Sequence, residues 1–254
     1  MMSDPKTAPL ADWDTEQIRL TAFVAEGVEI EADNWWQDVL GAQPDSSTKR
    51  PKIGDLFQKG AALGGQITMR AQPTRVDWVF NPTTELPEER LDRSEIIAPF
   101  GDALAKFSEI VERWFKLAPP INRLAFGPIV LLPVNDAIHG LQRLMSYLPV
   151  LEITASEDIT DLLFRINRRR MSQSGIDLMI NRLSAWSVVT VEYKHLVPGK
   201  GILSGGKPSH SCRVELDINT APDYPKTFNR EQVLTLWGEL KTLGVEIIEK
   251  GAIP

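Results

Sequence analysis

The most restrictive feature of this sequence is a set of segments in which apolar and polar residues alternate one by one. In residues 75–81, Val76, Trp78 and Phe80 recur at every second position, and residues 212–219 alternate between apolar and polar residues throughout. Period-two alternation puts one side of a β-strand against a core and the other side in solvent, as is typical of antiparallel sheets. The sequence therefore predicts an antiparallel sheet with one buried face and one open face.

Helical periodicity marks the segments that would cover the buried face. Apolar residues recur at helical spacing in residues 100–114, 138–148 and 233–243. Asn229 with Gln232 resembles a capping box at the start of the last helix, and Gly244 is its predicted stop. A short helix is predicted at about residues 34–40; its adjacent tryptophans could both face the sheet, or one could anchor a partner. Together these elements predict an α+β fold, an extended antiparallel sheet with helices on one face.

An ungapped match suggests an internal repeat. Residues 75–81 align with 213–219 through identical Arg, Val and Asn, and Asp77 is matched with Glu215. Strand patterning alone produces partial matches of this kind, so two unrelated hairpins are the alternative. The order of elements also occurs twice, and Arg19-Leu20 and Arg123-Leu124 each begin an apolar strand that leads into a helix.

The repeat sets the predicted domain organisation. We interpret residues 13–254 as one domain made of two β-α-β-β-(β)-α halves, about 13–118 and 119–254. Residues 1–12 are polar and contain two prolines, which predicts a flexible tail.

The strand at 214–219, the closing amphipathic helix and the chain length resemble a sporadically distributed prokaryotic family of about this size. The function of that family is unknown. The resemblance covers most of the chain but includes no diagnostic motif. It implies a soluble prokaryotic protein and no particular chemistry.

The charge balance argues against a nucleic-acid partner. The formal net charge is −6 and the sequence pI is about 5.2, whereas proteins held by phosphate contacts usually carry a basic surface. The sequence contains no apolar run long enough for a membrane span, so no membrane partner is expected. The N-terminal residues lack the basic and apolar regions of a signal peptide, and we expect a cytoplasmic protein.

Motifs for cofactors, metals and catalysis are weak in this sequence. Residues 201–207 have the glycine spacing of a phosphate loop, but Pro208 stands where such a loop needs Ser or Thr. With three histidines and one cysteine at unsuitable spacings, neither a metal nor a cofactor is predicted. Cys212 shares the buried side of its strand with Val214 and Leu216, so its thiol is predicted to be unreactive. A contact between Cys212 and His210 is the alternative. No catalytic residue is assigned, and a non-enzymatic role is favoured.

Arginines cluster in one place, at Arg165, Arg168, Arg169 and Arg170. They could bind an anion or nucleic acid, or they could be the solvated end of a strand. In a strand, Arg168 and Arg170 cannot share a face with Arg169. Too few of them could therefore reach one phosphate backbone for tight binding.

The open face is the predicted site. We expect Val189, Val191 and Tyr193 to be buried, which leaves a mixed-charge surface of Arg70, Arg75, Asp77, Arg165, Asn167, Glu192, Lys194, Arg213, Glu215 and Asp217. The candidate residues for binding a ligand or partner are Arg75, Asp77, Arg165, Arg168, Arg170, Glu192, Arg213, Glu215 and Asp217. The leading hypothesis is a non-enzymatic protein-interaction module, with a homodimer as one form. The alternatives are an enzyme of unrecognised type on this face and a weak nucleic-acid binder through Arg165–Arg170.

Overall fold

The computed structural model describes residues 7–83, 95–151, 158–159, 161–192, 194–197, 201–204 and 207–252, with backbone only at 194–197 and 201–204. Among the described residues, no helix is both long and apolar enough to cross a membrane. The strands are β1 (Asp14–Val24), β2 (Ser46–Arg50), β3 (Asp55–Ala62), β4 (Gly65–Gln72), β5 (Arg75–Asn81), β6 (Ile121–Val134), β7 (Leu163–Asn167), β8 (Arg170–Met171), β9 (Met179–Val191), β10 (Lys194–Val197), β11 (Gly201–Ser204) and β12 (Ser209–Thr220). The α-helices are α1 (Trp35–Leu40), α2 (Phe100–Trp114), α3 (Ala137–Tyr147) and α4 (Arg230–Lys250).

Ten of the strands form one antiparallel sheet, which confirms the predicted α+β class. Their order is β2-β3-β4-β5-β1-β6-β12-β9-β7, and β8 also pairs with β9. The two remaining described strands, β10 and β11, form a separate hairpin. The long strands β1 and β6 lie at the centre of the sheet and join its two halves.

All four helices pack on one face of the sheet, as predicted. Trp78 of β5 and Phe126 of β6 share this face, because Leu20 of β1 pairs with both. Trp36 of α1 stacks on Trp78 with 6.3 Å between ring centroids, and Trp237 of α4 meets Phe126 edge-on at 5.3 Å. Helices α2 and α3 contact the same face.

Both tryptophans of α1 belong to the core. Trp36 is buried against Trp78, and Trp35 is buried with its ring edge-on to Trp114 of α2 at 5.7 Å. The interpretation in which both face the sheet side is therefore confirmed. Neither ring is exposed for a partner.

The last helix begins as predicted but does not end where predicted. The side chain of Asn229 accepts a hydrogen bond from the Gln232 N–H, and the Gln232 side chain accepts one from the Asn229 N–H, each at 2.9 Å. Gly244 is not the stop, because α4 continues to Lys250. A Cβ at Gly244 would lie 2.8 Å from the Phe126 ring, so this glycine lets the helix approach the sheet closely.

The described part of the predicted tail, residues 7–12, packs against the domain. Ala8 is buried, and its N–H donates to the Tyr147 Oη at 2.7 Å. Leu10–Asp12 forms a single 3-10 turn that leads into the fully buried Trp13. Apolar Ala8 and Leu10 thus hold this segment to the core.

The strand order is symmetric about the β1–β6 pair. Strands β5, β4 and β3 follow β1 outward, and β12, β9 and β7 follow β6 outward. When Asp77 is matched with Glu215, the strand registers make β1 equivalent to part of β6 and β4 equivalent to part of β9. Strand β7 is then equivalent to part of β3. Residues 75–81 and 213–219 therefore hold equivalent places. The division into half-repeats at 13–118 and 119–254 stays a prediction.

The match between Arg19 and Arg123 does not follow the same registers. Asp77 pairs with Thr21 and Glu215 pairs with Ile129, so Thr21 and Ile129 are equivalent. Two residues earlier on each strand stand Arg19 and Gly127, which also pair with each other. The pseudo-twofold axis of the sheet therefore passes between Arg19 and Gly127, and the sequence match of Arg19 with Arg123 is four residues out of register.

Candidate functional site

The surface of the sheet opposite the helices is called the open face here, and no described helix packs on it. Strand pairing sets its membership, since directly opposed residues share a face. Eight of the predicted residues lie on it: Arg70, Arg75, Asp77, Arg165, Asn167, Arg213, Glu215 and Asp217. These side chains run across β4, β5, β12 and β7, so the mixed-charge surface predicted from the sequence is real over most of the sheet.

Two of the predicted binding residues lie on the other side of the sheet. Arg168 has the parity of Phe164, which pairs with the buried Trp186 and so faces the helices. The Nη1 of Arg170 lies 3.5 Å from Glu246 of α4. Arg168 and Arg170 are thus separated from Arg165, which remains on the open face.

The residues of β9 face the opposite sides of the sheet from those predicted. Val188, not Val189, faces the helices, since a Cβ at Gly140 of α3 would lie 2.8 Å from it. Val189 and Val191 therefore lie on the open face, where they are partly exposed. Glu192 is exposed beyond the end of β9; Tyr193 and the side chain of Lys194 lie outside the described residues.

Arg213 holds two acidic side chains on the open face. Its Nε donates to Glu16 of β1 at 2.8 Å, and its Nη1 donates to Glu215 at 3.1 Å. Because β12 and β1 are separated by β6, the Glu16 contact spans three strands. This network of ion pairs fixes the orientation of Arg213, Glu16 and Glu215.

A second network occupies the other half of the face. Asp77 accepts hydrogen bonds from Thr21 at 2.5 Å and from the Nη2 of Arg75 at 2.8 Å. On the neighbouring strands, the Nε of Arg70 donates to Asp55 at 2.7 Å, and this hydrogen bond lowers the pKa of Asp55. These acids are nearly buried and already satisfied, which suits a rigid surface better than proton transfer.

The centre of the open face holds Arg19, which the sequence analysis did not place among the residues of this face. The Arg19 guanidinium lies over Gly127, where an added Cβ would be 3.3 Å from its Nη2. Arg19 has no hydrogen-bond or ion-pair partner among the described residues. The alternation of Arg19 with the buried Ile18 and Leu20 is the signal that could have identified it.

A recess of about 440 Å³ lies at one end of the open face. Four of its polar side chains are bonded in pairs, Glu16 to Arg213 and Gln17 to Asn81 at 2.9 Å, and the exposed Glu95 also lines it. The apolar part of its lining is Leu131, Val189 and Val191, with Pro82 at the side. An apolar floor with a paired polar rim resembles the anatomy of a protein interface.

Comparisons with protein-family models, with curated proteins and with solved structures found no match for this chain. Among the described residues, no three His, Cys, Asp or Glu side chains are placed to hold a metal ion. The function must therefore be inferred from the geometry of the two sheet faces.

Cys212 is expected to resist thiol reagents in the native protein. It is fully buried, its Sγ donates to the Gly140 carbonyl at 3.3 Å, and burial raises its pKa to about 12. Since only the thiolate reacts, labelling must wait for unfolding, and we expect it to be slower than in denaturant by a factor on the order of a thousand or more. Stopped-flow labelling measures this, and rapid native labelling would contradict the burial.

Proposed function

We propose that this chain is a non-enzymatic protein-interaction module that associates with a second copy of itself through the open face. The observation that carries the proposal is a sheet of ten strands covered by helices on one face and by no described helix on the other. The partly exposed Val189 and Val191 lie in a recess at one end of this face. Apolar side chains of this kind are partly shielded by ion pairs in one copy and become fully buried in a dimer.

Charge complementarity favours a second copy as the partner. In a twofold dimer the same surface patch meets itself, so it must carry both signs of charge. The open face carries both signs, because Arg19 of β1 and Arg165 of β7 lie on either side of Glu215 and Asp217 of β12. Arg19 has no hydrogen-bond or ion-pair partner in the part of the chain that the structure describes, and an acidic side chain of a second copy can supply one.

The bonding within the recess favours association over catalysis. A general acid or base needs a titratable group that is free to face a substrate. Here Glu16 is held by Arg213, Asn81 is held by Gln17, and Glu95, the other carboxylate of the recess, is exposed to solvent. Preorganised side chains of this kind lose little conformational entropy on association, which favours binding.

Sedimentation equilibrium over a range of concentrations tests the proposal. We expect the wild-type chain of 28.4 kDa to form a dimer, and the Val189→Asp/Val191→Asp variant to weaken it by roughly a hundredfold, because it buries two unpaired charges in the interface. Leu234→Asp is the matched control, since Leu234 is an exposed residue of α4 on the other side of the molecule. A wild-type chain that stays monomeric, or a control that dissociates equally, would contradict the proposal.

A further inference from the structure

The helix-covered face contains a cluster of three arginines under the end of α4. Arg168 and Arg182 lie opposite each other on neighbouring segments, where the Arg168 N–H donates to the Arg182 carbonyl at 3.2 Å. Arg170 has the same parity as Arg168 and pairs with Ile180 of β9. Like charges placed directly across a sheet repel each other, so this arrangement needs compensation.

The cluster contains more positive charge than the described carboxylates neutralise. Glu246 of α4 lies 3.5 Å from Arg170 and 3.8 Å from Arg182, and it also lies 3.6 Å from Lys250. No other described carboxylate forms an ion pair with Arg168, Arg170 or Arg182. Glu246 thus pairs with three cations, and Arg168 forms no ion pair with a described carboxylate.

Several donors of the cluster are buried without an acceptor. Arg182 is only 7% exposed, and its Nε and Nη2 make no hydrogen bond to a described residue; the same is true of the buried Nη1 of Arg168. Burial lowers the pKa of Arg182, Glu246 opposes this effect, and Arg170 and Arg168 add to it. A guanidinium does not lose its proton in proteins, so the excess charge calls for a counter-ion.

We propose that Arg168, Arg170 and Arg182 bind a small oxyanion, the phosphate or carboxylate group of a small molecule. Guanidinium groups match the planar and forked geometry of these anions and donate two hydrogen bonds at a time. The bound anion would supply the missing acceptors and offset the excess charge. This site lies on the opposite side of the sheet from the proposed dimer interface and does not depend on it.

The anion has a route to the cluster. The side chain of Arg170 is 33% exposed and lines a recess of about 480 Å³ beside α4. Three acids line this recess with Arg170 and Lys250: Glu239, which accepts hydrogen bonds from Ser172 and from the Gln173 N–H; Glu246, which pairs with Arg170; and Glu249. Because α4 covers Arg182, a small anion reaches the cluster more readily than a nucleic-acid backbone does.

Phosphate binding to the full chain tests the site. We expect inorganic phosphate to raise the midpoint of thermal unfolding more than chloride at matched ionic strength, and calorimetry to show binding that Arg182→Met weakens by roughly tenfold to a hundredfold. Arg169→Met is the matched control, because Arg169 lies between Arg168 and Arg170 in sequence but is exposed and has the opposite parity. Acetate is titrated in parallel. Binding of phosphate identifies the ligand group as a phosphate, and binding of acetate alone identifies it as a carboxylate.

A second measurement separates binding from a structural role. In buffer without oxyanions, Arg182→Met removes a buried charge, and Glu246 retains its ion pairs with Arg170 and Lys250. The variant is therefore expected to be at least as stable as the wild type. Marked destabilisation of this variant would overturn the proposal. So would an equal response of wild type and variant to phosphate, no preference for oxyanions over chloride, or tighter binding of a DNA oligonucleotide than of phosphate.

Discussion

Replacing Trp237 with alanine is expected to lower the free energy of unfolding by about 3–5 kcal/mol. Trp237 is 1% exposed and joins α4 to the rest of the core. Its ring contacts Phe126 of β6, Phe107 of α2 and Phe115, with centroid distances of 5.3, 6.5 and 6.3 Å. The substitution removes these contacts together and leaves a cavity where α2 and α4 meet the sheet.

Urea denaturation followed by circular dichroism measures this effect. Leu234→Ala is the matched control, because Leu234 lies on the same helix but is 38% exposed; its expected cost is within about 0.5 kcal/mol. If Trp237→Ala unfolds the chain outright, Trp237→Phe gives the same test with a smaller loss. Equal stability of the Trp237 and Leu234 variants would show that α4 does not pack as described.

The sequence predicted the elements whose local pattern is unambiguous. Residues 212–219 alternate strictly between apolar and polar side chains, and both the strand and its buried side are confirmed. The Asn229–Gln232 capping box also depends only on neighbours in sequence. Gly244 is different, since the Phe126 ring that explains it belongs to a strand more than a hundred residues away.

The residues of the open face were harder to predict, because the alternation of apolar and polar residues cannot assign a sheet face where two apolar residues are adjacent. Val188 and Val189 fit either face by composition, and only the burial of Trp186 and the Gly140 contact decide between them. The arginine run shows the same limit. Alternation separates Arg169 from Arg168 and Arg170, but strand pairing decides which face each side chain takes.

Reversing charges on the open face is expected to have the largest effect on association. The acidic variant Arg19→Glu/Arg165→Glu and the basic variant Glu215→Arg/Asp217→Arg each place like charges against like charges in a twofold dimer. Like-charge contacts cost several kcal/mol, so we expect each variant to dissociate by roughly a hundredfold or more relative to wild type. Circular dichroism controls for folding, and Arg19 and Arg165 form no ion pair among the described residues that the acidic variant would lose.

Sedimentation equilibrium of these two variants, alone and mixed in equal amounts, tests the proposed interface most directly. If copies of the chain associate through the open face, each variant alone stays at the monomer mass of 28.4 kDa and the mixture forms a heterodimer of twice that mass. A mixture that stays monomeric beside a dimeric wild type, or variants that dimerise as the wild type does, would contradict association through this face.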